Sequence, residues 1–180
     1  WLLRIQKAPS FWKFLLGGAI LGLSAIARPS ILLFGIAVPF WIWFTFKDKI
    51  PFKQVLIFIL SFAAGVVLLL SPVTCINHFT GKDSVLIAWN GGINFYIGNN
   101  AKASGYKAVA PEIRQSWWGG YYDSIEQAEK AAGRSLKKSE VSDYWYRKGY
   151  DFILHNPFSD VKLMAKKIFL LMEGDEISNN

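Results

Sequence analysis

The sequence is poor in the residues that build metal and disulfide sites. Cys75 is its one cysteine, which excludes an internal disulfide framework and any zinc site made of clustered thiolates. The two histidines, His78 and His155, have no partners at metal-ligand spacing, so neither reads as a ligand and no cofactor can be named. The helical-looking stretches 124–132 and 135–155 have no second copy at a fixed period, which excludes a solenoid. Acidic residues are also scarce, 13 Asp+Glu against 20 Lys+Arg, for a net charge of +7. In a soluble protein that excess would point to nucleic acid. Here a positive-inside topology explains part of it, and no nucleic-acid partner is expected. A secretory signal is not evident, because the apolar segments are too long and too many.

What is abundant is apolar and aromatic side chain. The chain is 52% hydrophobic and 16% aromatic, with a mean hydropathy of +0.24, values that point to a membrane protein. It begins at Trp1 rather than Met and ends in a polar run at Asn180, and so reads as an internal or C-terminal-side piece of a longer protein. Arg4, Lys7 and Lys13 precede a first apolar run, 14–27. Arg28-Pro29-Ser30 interrupts it, and a second run covers 31–46. As one helix these would reach roughly 50 Å, too long for a hydrocarbon core of about 30 Å. A tight hairpin over 14–46, turning at Arg28-Pro29 below the outer surface, fits better, since proline suits a first helical turn and disfavours helix before it. After Lys47, Asp48, Lys49 and Lys53, residues 54–71 form a further span, stopped by Pro72. The basic residues of the short loops place the N-terminal flank and 47–53 in the cytoplasm, and Arg28 and 73–158 outside, in a multi-pass protein of the cell (inner) membrane. Gly17, Gly18, Gly22, Ser24 and Ala25 suit close helix contact.

Arg28 is an ionisable residue at membrane depth, costly there and by default functional. Its fork matches a phosphate bidentately, and the competing reading is an arginine reaching to the headgroups from a helix end. The second candidate site is the stretch 90–100, where four asparagines, three glycines and a tyrosine alternate with apolar residues. Asparagine offers donors and an acceptor to sugar hydroxyls, and glycine lets a backbone approach a ligand. Asn90, Asn94, Tyr96, Asn99 and Asn100 are therefore candidates for a sugar or acceptor pocket. The plain alternative is two short strands, 84–89 and 93–97, around Gly91-Gly92.

Residues 102–122 read as irregular, with Trp117-Trp118 as an interfacial pair or a stacking platform for a sugar ring. Two helices follow, 124–132 and one capped by Ser135 that runs to His155, stopped by Asn156-Pro157. A last helix, 159–172, carries Lys162, Lys166 and Lys167 before Ile168-Phe169-Leu170-Leu171-Met172. It reads as a juxtamembrane helix or the start of a further membrane segment within 159–180, its lysines meeting anionic lipid headgroups or a lipid-linked phosphate. Glu173, Asp175 and Glu176 fit a solvated loop as well as catalysis. The expected fold is thus mainly α: a polytopic α-helical membrane protein, with transmembrane helices in 1–72 and a small mixed α/β extracytoplasmic segment in 73–158.

Four stretches together carry a resemblance: Gly-Leu-Ser-Ala-Ile-Ala-Arg-Pro-Ser at 22–30, Ser71-Pro72 at the end of a span, Asn-Gly-Gly-Ile-Asn-Phe-Tyr-Ile-Gly-Asn-Asn at 90–100, and His155-Asn156-Pro157 before a membrane-returning helix. In these the chain resembles the bacterial GT-C glycosyltransferases, within them the protein O-mannosyltransferase and aminoarabinose-transferase-like branch. The resemblance implies a polytopic enzyme that moves a sugar from a polyprenyl-phosphate-linked donor to a glycan, lipid or protein acceptor outside the membrane. It also implies an acidic catalytic residue in the first extracytoplasmic loop, a segment not visible here, so no catalytic residue is assigned and the base is expected upstream. A non-enzymatic carrier or flippase subunit for lipid-linked sugars is the alternative, and a surface-polysaccharide polymerase or ligase ranks third.

Overall fold

A computed structural model describes residues 5–173, so that Arg4, Asp175 and Glu176 lie outside the described residues. These residues fall into two compact units with the boundary between Ala88 and Trp89. The structure is 73% helix and has no strands among the described residues.

The first unit holds α1 (Phe11–Ala27), α2 (Leu32–Phe46, entered through a 3₁₀ turn at Pro29–Ile31) and α3 (Phe52–Phe79). Two stretches, Pro29–Phe46 and Phe52–Phe79, are long and apolar enough to cross a membrane, while α1 is apolar but shorter. The helix break falls at Arg28, whose φ of −144° and ψ of 95° leave the α region before Pro29 opens the next turn. Along α1 the buried residues Phe14, Gly18, Leu21, Gly22 and Ala25 recur every three or four positions, forming one stripe. It meets the matching stripe Val55, Phe58, Ser61, Phe62 and Gly65 of α3. Glycine is required on both sides. A Cβ on Gly18 would strike the carbonyl oxygen of Phe62, and one on Gly65 the carbonyl oxygen of Leu15. Phe14, Phe46 and Phe58 form the aromatic centre, with Phe14 stacked on Phe58 at 4.8 Å.

Pro72 does not end the third helix, contrary to the sequence expectation; α3 runs on to Phe79. Proline removes the N–H that would bond the carbonyl four residues back, here that of Leu68. The Ser71 hydroxyl donates to that carbonyl at 3.1 Å, and the helix continues. The expected strand 84–89 is absent too. Its carbonyls are taken by side chains of α3: Thr74 Oγ1 donates to Leu86 at 2.8 Å, and Asn77 Nδ2 to Val85 at 2.9 Å and Ile87 at 3.3 Å. With its acceptors satisfied there, the segment needs no partner strand.

The second unit holds α4 (Gly91–Gly98), α5 (Trp117–Ala132), α6 (Lys138–His155) and α7 (Pro157–Glu173). The expected strand 93–97 is a helix. Ile93, Phe95 and Ile97 alternate as a strand would, but Gly92, Ile93 and Tyr96 are the buried face of α4, at helical spacing. Packing on α6 decides between the two periods. A Cβ on Gly92 would collide with the Ser142 carbonyl oxygen, and the Gly92 N–H donates to Ser142 Oγ at 3.1 Å. The mixed α/β segment is therefore replaced by helices. Trp145 of α6 is fully buried, lies 5.0 Å from the Tyr96 ring and donates its Nε1–H to the Ser124 carbonyl at 2.8 Å.

Helix α5 starts earlier than expected, because Ser116 caps it by accepting the Gly119 N–H at 3.2 Å. It ends at Gly133, in the left-handed region at φ +66°. Helix α6 starts at Lys138 rather than after Ser135. The Ser135 hydroxyl donates to Glu129 Oε1 at 2.8 Å, while Glu140 accepts the Lys137 N–H at 2.8 Å and pairs with Arg134 at 2.6 Å. The carboxylate three residues into the helix, not the serine, fixes its start. The stop at Asn156-Pro157 falls where proline demands.

Candidate functional site

Within the second unit, Trp89, the N-terminal half of α4, the 108–116 segment and the start of α5 enclose a cavity of about 290 Å³. Besides an aliphatic lining from Ile93, Ile97, Ala110 and Ile113, its wall combines three further side-chain types. Trp89, Trp117 and Tyr121 supply aromatic surface, Asn90, Asn94 and Gln115 supply amides, and Arg114 supplies a cation. Trp89 and Tyr121 meet edge to face at 5.4 Å. The ammonium of Lys138 sits over both rings, 5.3 Å from one centroid and 5.4 Å from the other, and holds them as a pair. Such a wall holds a small polar ring by stacking and amide hydrogen bonds.

Arg114 is fixed from behind by Asp123. The carboxylate accepts the Arg114 backbone N–H at 2.8 Å, Nε–H at 2.9 Å and Nη2–H at 2.6 Å. These bonds hold the Asp123 carboxyl below its ordinary range and the guanidinium above its own. The Arg114 side chain is 66% exposed and that of Asp123 12%, so the cation faces outward on an inward anchor. With Asp123 engaged in this pair, no carboxylate, imidazole or thiol is among the residues that line the cavity. No group of three potential metal ligands occurs among the described residues.

The five residues expected from the 90–100 stretch separate into two roles. Asn90 and Asn94 line the cavity. Tyr96, Asn99 and Asn100 do not. Tyr96 is buried against Trp145, and its hydroxyl titrates above the ordinary tyrosine value because burial outweighs the nearby Lys148. The Asn100 amide is consumed by the fold, donating to the carbonyls of Tyr96, Ile97 and Val109 and accepting the Lys102 N–H. Asn99 Nδ2 donates to the Phe95 carbonyl at 2.8 Å, and its Oδ1 accepts from Lys167 Nζ at 3.3 Å. Trp89, Arg114, Tyr121 and Lys138 were not singled out from the sequence. They come from four separate segments, and only the Trp-Asn-Gly-Gly juncture at 89–92 hinted at one of them.

Arg28 belongs to the first unit. It is exposed, and its N–H donates to the Ser24 carbonyl at 2.9 Å, closing α1. Below that turn, α1 and α2 diverge around an almost wholly apolar cleft of about 690 Å³, lined by Ile20, Ser24, Ile31, Phe34 and Trp41 among others. Compared with models of protein families, with curated proteins and with solved structures, the chain matches none.

Proposed function

We propose that the chain is part of a multi-pass membrane glycosyltransferase that takes its sugar from a polyprenyl-phosphate-linked donor. In this reading Arg28 of the first unit meets the lipid-linked phosphate, and the cavity of the second unit, taken by itself, receives a saccharide ring of the donor or of the acceptor. The observation that carries the reading is the cavity wall: aromatic faces, two asparagine amides and an anchored guanidinium around a space of about 290 Å³ suit one sugar unit. Two apolar helices of membrane-crossing length, with Arg28 at the head of the first, are consistent with a donor held in lipid. The general base is not assigned to any residue named here. The resemblance gives that role to a carboxylate ahead of these spans.

The test is binding of a glycosyl-phosphoprenol to the chain in nanodiscs, followed by tryptophan fluorescence, since Trp89 and Trp117 line the cavity. Asn94→Ala removes one amide and should weaken binding up to about tenfold, the worth of roughly one net hydrogen bond. Arg28→Ala should weaken binding of the phosphoprenol but not of a soluble methyl glycoside, with Arg28→Lys recovering part. No saturable binding, or identical affinity in all variants, overturns the proposal. In vesicles of the full-length protein, sugar appearing on an acceptor identifies a transferase; sugar-lipid crossing the bilayer unchanged identifies a carrier instead.

A further inference from the structure

Helix α7 divides its surface in an unusual way. Its inward edge is narrow: Leu163, Leu170 and the stem of Lys167 lie over Gly105, whose φ of +88° favours glycine there. The Lys167 ammonium donates to the Gly98 carbonyl at 2.7 Å and so caps the C-terminal end of α4. Leu163 is the single buried residue of the helix. Phe158, Val161, Met164, Ile168, Leu171 and Met172 recur every three or four positions along one continuous face, with the exposed Phe169 at its edge. That face is open, with Phe158 92% and Leu171 82% exposed. A contiguous apolar face of this size marks a contact with lipid or protein.

The charges beside the face select the occupant. Lys162 and Lys166 flank it and are exposed. The ammonium of Lys166 and that of Lys107 lie 5.2 Å and 5.7 Å from the ring of the half-exposed Tyr106. A tyrosine between lysines, at the margin of an apolar face, is the arrangement that meets lipid phosphates. Crossing the bilayer is a poor alternative. The helix has 17 residues, with Asp160, Lys162, Lys166, Lys167 and Glu173 spread along it, and it is not among the helices long and apolar enough to span. We infer that α7 lies in the plane of an anionic membrane surface, its open face at the boundary of headgroups and acyl chains and Lys162, Lys166 and Lys107 on the lipid phosphates. This anchor does not depend on what the cavity binds.

The experiment places a fluorophore at single cysteines in a Cys75→Ser background, with the chain in vesicles of equal phosphatidylglycerol and phosphatidylcholine carrying nitroxide lipids of known depth. Labels at Val161→Cys, Ile168→Cys and Met172→Cys should be quenched at one shared, shallow depth of roughly 5–10 Å. A label at Ser159→Cys, beside the lysines, should stay in water. Replacing Lys162 and Lys166 together by glutamine should reduce the quenching to the level seen in pure phosphatidylcholine. A depth that grows steadily from 161 to 172 would mean a crossing helix and overturn the inference. Absence of lipid quenching at all three positions would mean a protein partner covers the face, with the same consequence. Quenching indifferent to anionic lipid and to the lysines would overturn the phosphate contact.

Discussion

The two units solve the same problem, packing helix on helix, with a different balance of materials. In the first, backbone meets backbone: Gly18, Gly22 and Gly65 bring α1 and α3 together, and large apolar side chains such as Leu33, Phe40, Leu60 and Val67 point outward. In the second, Gly92 makes a like approach to Ser142, but side chains do most of the joining. Trp145, Tyr96, Ser142 and Asn100 fill or bond across the interior, and charged caps such as Arg134–Glu140 hold the helix ends. The difference goes with the two helices of membrane-crossing length and composition, both in the first unit. Where the surroundings are apolar, burying more hydrocarbon gains little, so close van der Waals approach carries the association. In water, burial of large aromatic side chains is itself the driving force.

The comparison can be broken at its largest effect first. Gly65→Val pushes a branched side chain into the Leu15 carbonyl, where only backbone movement can make room. The cost should reach or exceed the upper end of about 1–3 kcal/mol for overpacking. Thermal unfolding in detergent should show the first unit lost while the near-ultraviolet signal of the second survives; joint loss would mean that the units are not energetically separate. In the second unit, Trp145→Ala removes a fully buried ring and its bond to Ser124. Denaturant unfolding should register about 3–5 kcal/mol, the usual range for a large aromatic core residue.

A pair of asparagine substitutions sharpens the contrast between fold and site. Asn100→Ala removes the amide bonds to the Val109 and Tyr96 carbonyls and should cost about 1–3 kcal/mol. Asn94→Ala, on an exposed cavity residue, should stay within about 0.5 kcal/mol in the same assay. Equal costs would erase the distinction. The smallest effect is electrostatic. Glu140 titrates at about 2 in the folded unit against an ordinary value of 4.5, chiefly through its bond to Arg134. A depressed carboxylate stabilises the folded state above its unfolded pKa, and that stability is lost as pH falls through the folded one. The midpoint of the second unit should therefore drop between pH 4.5 and about 2, with Asp123 contributing in the same direction. Glu140→Gln should flatten that part of the profile, while the helices of the first unit show no matching change.

Much of this molecule was legible from residue order. The long apolar runs, the break at Arg28-Pro29, the helix end after Ala132 and the stop at Asn156-Pro157 follow from side-chain volume and φ restriction, which act locally. Three readings needed the third dimension. Ile93, Phe95 and Ile97 alternate like a strand, yet contact with Ser142 of α6 makes α4 a helix. Pro72 looks like a helix end, yet the hydroxyl of its neighbour replaces the missing bond. In 90–100 composition proposes four asparagines and Tyr96 for a pocket, while the partners on Val109, Lys102 and Lys167 commit Asn99 and Asn100 to the fold and leave Asn90 and Asn94 at the cavity. Sequence alone determined where the chain is apolar and where it must bend, because those depend on each residue and its neighbours. Which period a short ambiguous segment adopts, and which polar groups remain for a ligand, depend on partners up to 69 positions away, and only the tertiary structure decided them.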